Sequence, residues 1–186
     1  SSDDDYPSDF SRTITTSSQR LLLRDTNLNY SSTYWSAGVR ASNYQVLQDP
    51  AAPIVRPYDR LPQLAFLAGR QDVQGFDWAV ESELTRFWHP ELIRGDRFVF
   101  NPKVSYPIIR PGYFVTPKLS FDLTKYTLAN TAPDTPSTPL RTVPTFSVDS
   151  GLVFERDARA FGQDMIQTLE PRLFYVRRPY RDQSQF

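Results

Sequence analysis

Two carboxylates, Glu81 and Glu83, stand two residues apart. On an extended strand that spacing puts both on one face, roughly 6–7 Å apart. Such a pair could act as acid and nucleophile at a glycosidic bond. The simpler reading is two charges on a hydrated wall. Nothing nearby completes a hydrolase: there is no phosphate loop, metal-ligand motif or nucleophile elbow. The single histidine, His89, follows Trp88. One imidazole could serve a Ser-His-Asp triad, but no Ser and Asp partners can be placed beside it, and it reads as an interfacial or loop histidine. Cysteine is absent. That excludes disulfides, thiol catalysis, Cys-ligated zinc and iron–sulfur clusters within this chain. No catalytic, metal-binding or cofactor-binding residue is assigned, and no cofactor is expected.

The elements carrying these charges read as strands. Apolar and polar residues alternate with period two almost throughout, and helical periodicity is nearly missing. In 113–124, Tyr113, Val115, Pro117, Leu119, Phe121 and Leu123 share one face, while Thr116, Lys118, Ser120, Asp122 and Thr124 share the other. Segment 76–88 sets Phe76, Trp78, Val80, Leu84 and Trp88 against Asp77, Glu81, Glu83 and Thr85. Segments 97–108 and 145–156 repeat the pattern. Further strands are expected near 5–16, 21–31, 34–46, 62–73 and 165–177, about nine in all, near the ~10 residues typical of outer-membrane strands. In 62–73, Leu64/Phe66 and Ala65/Leu67 compete for the apolar face.

The connections alternate in length. Those at 31–32, 74–75, 110–112 and about 157–164 are short; those at 47–61, 89–96 and 129–144 are long. The connection at 17–20 departs from the trend. Short turns on one side and long loops on the other mark an up-and-down membrane barrel. Pro111-Gly112 suits the centre of a type II turn. That turn pairs Arg110 with Tyr113, Ile108 with Val115, Tyr106 with Pro117, Val104 with Leu119 and Phe100 with Leu123, and places every apolar side chain of both strands on one face. Prolines 102, 107, 117 and 171 fall within strands. They read as bulges or edge positions, or else as weakened pairing that lets a sheet open. The segment 129–144 reads as an exposed loop. The segment 48–61, stiffened by proline and carrying Ile54, Val55 and Tyr58, reads as folding back on the protein.

Charges sit mid-strand on the polar face. Facing lipid at mid-depth, each basic residue would cost about 2–4 kcal/mol; in a hydrated lumen they are at home. Glu81, Glu83, Lys103, Lys118, Asp122, Glu170 and Arg172 are therefore expected to face a lumen, with Glu170 and Arg172 placed to pair. The Phe-, Tyr-, Trp- and Leu-rich face is expected to meet lipid. No apolar run approaches the ~18–20 residues of a spanning helix, which does not bear on a barrel. Lys and Arg number 21, as do Asp and Glu, and a neutral chain argues against nucleic acid as partner. Aromatics at 14% exclude a disordered segment. The opening Ser1-Ser2-Asp3-Asp4-Asp5, without Met, reads as the start of a piece of a longer chain.

Four stretches resemble a known family: SDDDYPSDFS (Ser2 to Ser11), YQVLQDPAAPIVRPYDRLPQL (Tyr44 to Leu64), GLVFERD (Gly151 to Asp157) and QTLEPRLFYVRRPYRDQSQF (Gln167 to Phe186). Together they resemble the barrel of the LptD lipopolysaccharide-assembly family, also called organic solvent tolerance proteins. The resemblance covers essentially the whole chain. It implies an all-β fold: residues 1–186 as an internal slice, about nine antiparallel up-and-down strands, of a very large barrel in the Gram-negative outer membrane, with no complete domain boundary inside the chain. It implies lipopolysaccharide as cargo, an LptE-type lipoprotein plug, periplasmic bridge proteins reached through a jellyroll domain, outer-membrane lipid around the wall, and no enzymatic activity. The jellyroll, the seam strands of the lateral gate and the family's cysteines are expected to lie outside this chain. One departure is Arg177-Arg178 before Pro179. If Tyr175 faces lipid, so does Arg177, which would then sit at the outer interface near lipid A phosphates. The residues alone leave two alternatives open: another barrel such as a porin, and a soluble carbohydrate-binding β-sandwich.

Overall fold

Alternating side chains, with glycine, proline or serine between the runs, divide the described residues into eleven strands. The computed structural model describes residues 20–48, 53–129, 131, 136–160 and 162–181. The strands are β1 (Leu21–Ser31), β2 (Trp35–Val46), β3 (Asp59–Val73), β4 (Phe76–Trp88), β5 (Arg94–Ser105), β6 (Ile108–Arg110), β7 (Tyr113–Ala129), β8 (Leu140–Leu152), β9 (Phe154–Ala160), β10 (Gln163–Leu169) and β11 (Arg172–Arg177). One antiparallel sheet runs β1-β2-β3-β4-β5-β7-β8-β11, with β6 added beside β7; β9 and β10 form a second ladder. The strand expected at 5–16 lies outside the described residues.

The proposed hairpin register holds residue for residue. Phe100 pairs with Leu123, Val104 with Leu119, Ile108 with Val115 and Arg110 with Tyr113, and Tyr106 N–H donates to Pro117 O at 3.1 Å. Gly112 takes φ +84° at the turn, where a side chain would be strained. The prolines differ from the expectation of bulges or edges. Pairing skips Pro102 and Pro107 but resumes on the same register beyond each. Pro102 and Pro117 thus cost the β5–β7 seam a donor each without shifting it. Register shifts fall elsewhere, between Arg40 and Ser42, Arg60 and Gln63, and Arg70 and Val73.

The last hairpin is longer than its sequence suggests. The stretch 157–164, read as a turn, is mostly strand. Phe154 pairs with Leu169 and Gly151 with Arg172, one register on both sides of a break where Leu152 N–H donates to Pro171 O at 3.0 Å. Val153 N–H donates to Gly112 O, so β9 and β10 continue the ladder past the neighbouring short turn.

Pairing also fixes the faces, because partners across a ladder share one side. Leu64 lies opposite Val39 and Leu84, and Phe66 opposite Ser82. Leu64 and Phe66 therefore join the apolar face, and Ala65 and Leu67, opposite Glu83 and Glu81, the polar one. Trp35 packs between Tyr30 and Phe66, at ring distances of 5.1 and 6.1 Å.

The sheet has the inverse of a soluble core. Among the described residues the buried apolar side chains are Leu47, Ala68 and Val143, whereas Ser42, Asp59, Thr85, His89 and Thr124 are the buried polar ones. Trp78, Leu84, Phe98, Leu119, Phe121 and Phe146 stay exposed in mid-strand. No second sheet covers them among the described residues, whereas a sandwich would need one. No described helix is long and apolar enough to cross a membrane, a fact without bearing on strands. The 186 residues purified alone in water are expected to aggregate and to give soluble β-structure only with detergent, read by sedimentation and circular dichroism. A soluble, cooperatively melting monomer would contradict this inverted surface.

Candidate functional site: the charged concave face

Strand parity brings the expected wall charges together. Glu81 and Glu83 on β4, Lys103 on β5, Lys118 and Asp122 on β7, and Arg172 on β11 all fall on the polar face. A hollow of about 1060 Å³ opens on it. Its lining reaches from Asn29 on β1, across Glu81, Glu83 and Arg97, to Asp122 and Arg178 beyond β11. Side chains from both margins of an eight-strand path can line one hollow only if the sheet curves toward its polar side.

The wall charges are mostly spent on one another, and the pairs run across strands. Lys103 Nζ meets Glu81 Oε1 at 2.8 Å, joining β4 to β5. Arg40 meets Asp25 at 2.8 Å, joining β1 to β2. Arg178 reaches Asp122 at 3.2 Å. Glu83 is the most heavily engaged: it accepts from Arg97 at 2.5 Å, Thr85 Oγ1 at 2.8 Å and Gln63 Nε2 at 3.0 Å. Three strands are pinned through one carboxylate. Glu81 and Glu83 are thus held by separate cations, and no group converges between them as a sugar-cleaving centre needs.

Arg172 pairs with Asp149, which accepts from Nε at 2.8 Å and Nη2 at 2.5 Å. This replaces the expected pairing with Glu170. Asp149 lies on β8, diagonally across the ladder from Arg172, within easy reach of a bidentate guanidinium. Glu170 sits in the break between β10 and β11, outside both strands. Lys118 has no ion pair among the described residues. Arg177 lies opposite Phe146, and Tyr175 opposite Val148, so both are on the apolar face.

The long-loop side holds a group that strand periodicity could not find. His89, 2% exposed, clasps two loops. Its Nδ1 accepts from Glu91 N–H at 3.1 Å and Leu92 N–H at 2.9 Å. The proton therefore sits on Nε2, which donates to Arg56 O at 3.0 Å. Arg56 also pairs with Asp59 at 2.7 Å, and Tyr58 Oη donates to Ile93 O at 2.8 Å. The described part of 48–61 is thus tied down, as its proline-stiffened, partly apolar composition suggested. Residues 49–52 and 132–135 of the two long loops lie outside the described residues.

Two outcomes are expected. In full-length protein, Glu83→Ala should destabilise the barrel by about 1–3 kcal/mol, because it strands Arg97 and Gln63, whereas Glu81→Ala, which breaks an exposed pair, should cost less than about 1 kcal/mol. Thermal unfolding in detergent, read by gel mobility, ranks the two. His89→Ala should speed proteolysis within 48–61 of the purified full-length protein in detergent several-fold and leave the strands protected.

The whole chain, residues 1–186, matches the family model described as LptD: LPS transport system D. It is 44% identical over 191 residues to the LPS-assembly protein LptD of Ralstonia nicotianae, covering 99% of this chain and 24% of that protein. It is 43% identical to that of a Polaromonas species and 45% to that of Albidiferax ferrireducens, covering 98% of this chain in both cases and 24% and 23% of those proteins. The chain spans about a quarter of the length of these relatives. An all-β curved sheet with one apolar and one charged face, matched over its whole length by this family, identifies the chain as a member of the LptD family.

Proposed function

We propose that these residues form part of the wall of an outer-membrane β-barrel that delivers lipopolysaccharide to the outer leaflet. The observation that carries this is the inverted sheet: an uncovered apolar face suited to lipid, backed by a concave, ion-paired face suited to a hydrated lumen, in an LptD-family chain. In this reading Glu81, Glu83, Lys103, Lys118, Asp122 and Arg172 line the lumen, and Glu170 lies at its short-turn rim. The lumen admits sugar chains or holds an LptE-type lipoprotein plug. Lipopolysaccharide arrives over periplasmic bridge proteins through a jellyroll carried elsewhere in the full-length protein. The role is transport and assembly, not catalysis, and the site is the outer membrane of a Gram-negative cell. Arg177, on the lipid side, is positioned toward lipid A.

Depleting the full-length protein in its own cells should lower newly made lipopolysaccharide at the surface several-fold and leave it retained inside. Unchanged delivery would overturn the exporter reading; small-solute conductance of the purified protein in planar bilayers would then support a porin-like channel.

A further inference from the structure

We propose that His89 is an acid-sensitive clasp: its protonation opens the bend at 90–92 and, through Tyr58, frees the strap 53–58 from the polar side of the long-loop mouth.

The strap reaches that side beside β4. Thr85 lies opposite Gln63 and Arg97, and Phe87 opposite Arg60 and Gly95. Phe87 thus continues the polar row of Glu83 and Thr85, and His89 continues it past the strand end. Tyr58 packs on both rings, 6.2 Å from Phe87, edge-on, and 5.2 Å from His89. Two hydrogen bonds tie the strap to the connection that follows β4. His89 Nε2 donates to Arg56 O at 3.0 Å, and Tyr58 Oη donates to Ile93 O at 2.8 Å.

The clasp works only with a neutral imidazole. Nδ1 accepts from Leu92 N–H at 2.9 Å and from Glu91 N–H at 3.1 Å. The second ring proton would go onto Nδ1 and point at those two N–H groups, leaving three donors and no acceptor. The bond to Arg56 O would survive, but both bonds that hold the bend would be lost. With the bend goes the Ile93 carbonyl that anchors Tyr58. His89 is 2% exposed, so water cannot replace the missing acceptor while the bend stays closed.

The charges around the ring do not favour an imidazolium in place. Arg24 on β1, Tyr44 on β2, Arg56 on the strap and Glu91 line one hollow with His89. Arg56 and Arg94 lie against the adjoining Trp88, with guanidinium carbons 5.5 and 5.6 Å from its ring centre. Asp59, at the foot of the strap, is spent on Arg56 at 2.7 Å and on Tyr44 N–H at 3.2 Å. Three guanidinium groups therefore stand against one engaged carboxylate and Glu91. The proton binds the open form, so acid opens the clasp and neutral pH closes it.

The test is hydrogen exchange on the purified full-length protein in detergent at about pH 7.5 and about pH 5, the span over which imidazoles titrate. Each peptide is scored as protection relative to its intrinsic rate at that pH. Protection of 90–93 and of the strap should fall about tenfold or more at the lower pH, while β4 and β5 keep theirs and report that the protein is folded. His89→Asn, whose carboxamide oxygen accepts N–H groups and does not titrate, should leave 90–93 equally protected at both pH values. Asp59→Asn should keep the wild-type response. Tyr58→Phe, which retains the imidazole, should keep the response of 90–93 and uncouple the strap from it. Unchanged protection in the wild type would overturn the clasp. So would a response that survives in His89→Asn, vanishes in Asp59→Asn, or still reaches the strap in Tyr58→Phe. Export plays no part in the exchange, so failure of the clasp is separate from failure of the proposed function.

Discussion

The backbone satisfies its hydrogen bonds here strand to strand, and among the described residues the sheet it makes has no apolar layer against it. Every feature follows from that. In a soluble sheet the Phe- and Trp-rich side would be covered by another layer. Here it is uncovered, while the small buried set is led by Thr85 and Asp59. Burial at ~25 cal/mol per Å² cannot hold such a sheet together in water. Stability must come from ladder hydrogen bonds and cross-strand side chains, and in the proposed barrel wall lipid would supply the apolar environment. That is why the ion pairs of the polar face run between strands: Glu83 fastens β3 to β4 and β5 through Gln63 and Arg97, and Asp149 fastens β8 to β11 through Arg172.

Much of this was legible because strand period is strict. Once Pro111-Gly112 fixes one turn, parity alone gives the register from Phe100 to Leu123, and the faces with it. Parity fails where two alternations compete. Leu64, Ala65, Phe66 and Leu67 fit either face, and only pairing with Val39 and Leu84 decides, beside a register shift at Leu61-Pro62 that a local pattern cannot show. Parity also misled at the last hairpin. The charges of Asp157 and Arg159 read as the start of a turn at 157–164, yet they belong to β9, strand that runs on past the neighbouring short turn.

Pair identity was the least legible layer. Arg172 has Glu170 two residues back, in the break before its strand, but extended backbone holds such neighbours roughly 6–7 Å apart, while the diagonal partner on β8 meets a guanidinium edge-on. Choosing it requires the β8–β11 register, and Pro171 hides that register by interrupting the pattern. His89 illustrates the same limit. Its work is done by loop backbone, Arg56 O and two N–H groups, and no side-chain pattern announces a backbone partner.

The two sides of the sheet treat charge in opposite ways, and this follows from where water is. On the polar face, cations sit among carboxylates at hydrogen-bond distance, so the hollow presents alternating signs and little net field. A wall of that kind grips neither anions nor cations strongly and leaves hydroxyl- and amide-bearing chains free to pass or to rest against it. On the apolar face charge leaves the middle of β4 and β7 and returns toward the strand ends, where Arg94 and Lys125 are in no salt bridge among the described residues. Leaving the positive charge unanswered costs little at an interface that water reaches and attracts whatever anionic surface adjoins it. The imbalance between the two faces of one neutral chain fits the proposed place of these strands, with water on one side and lipid on the other.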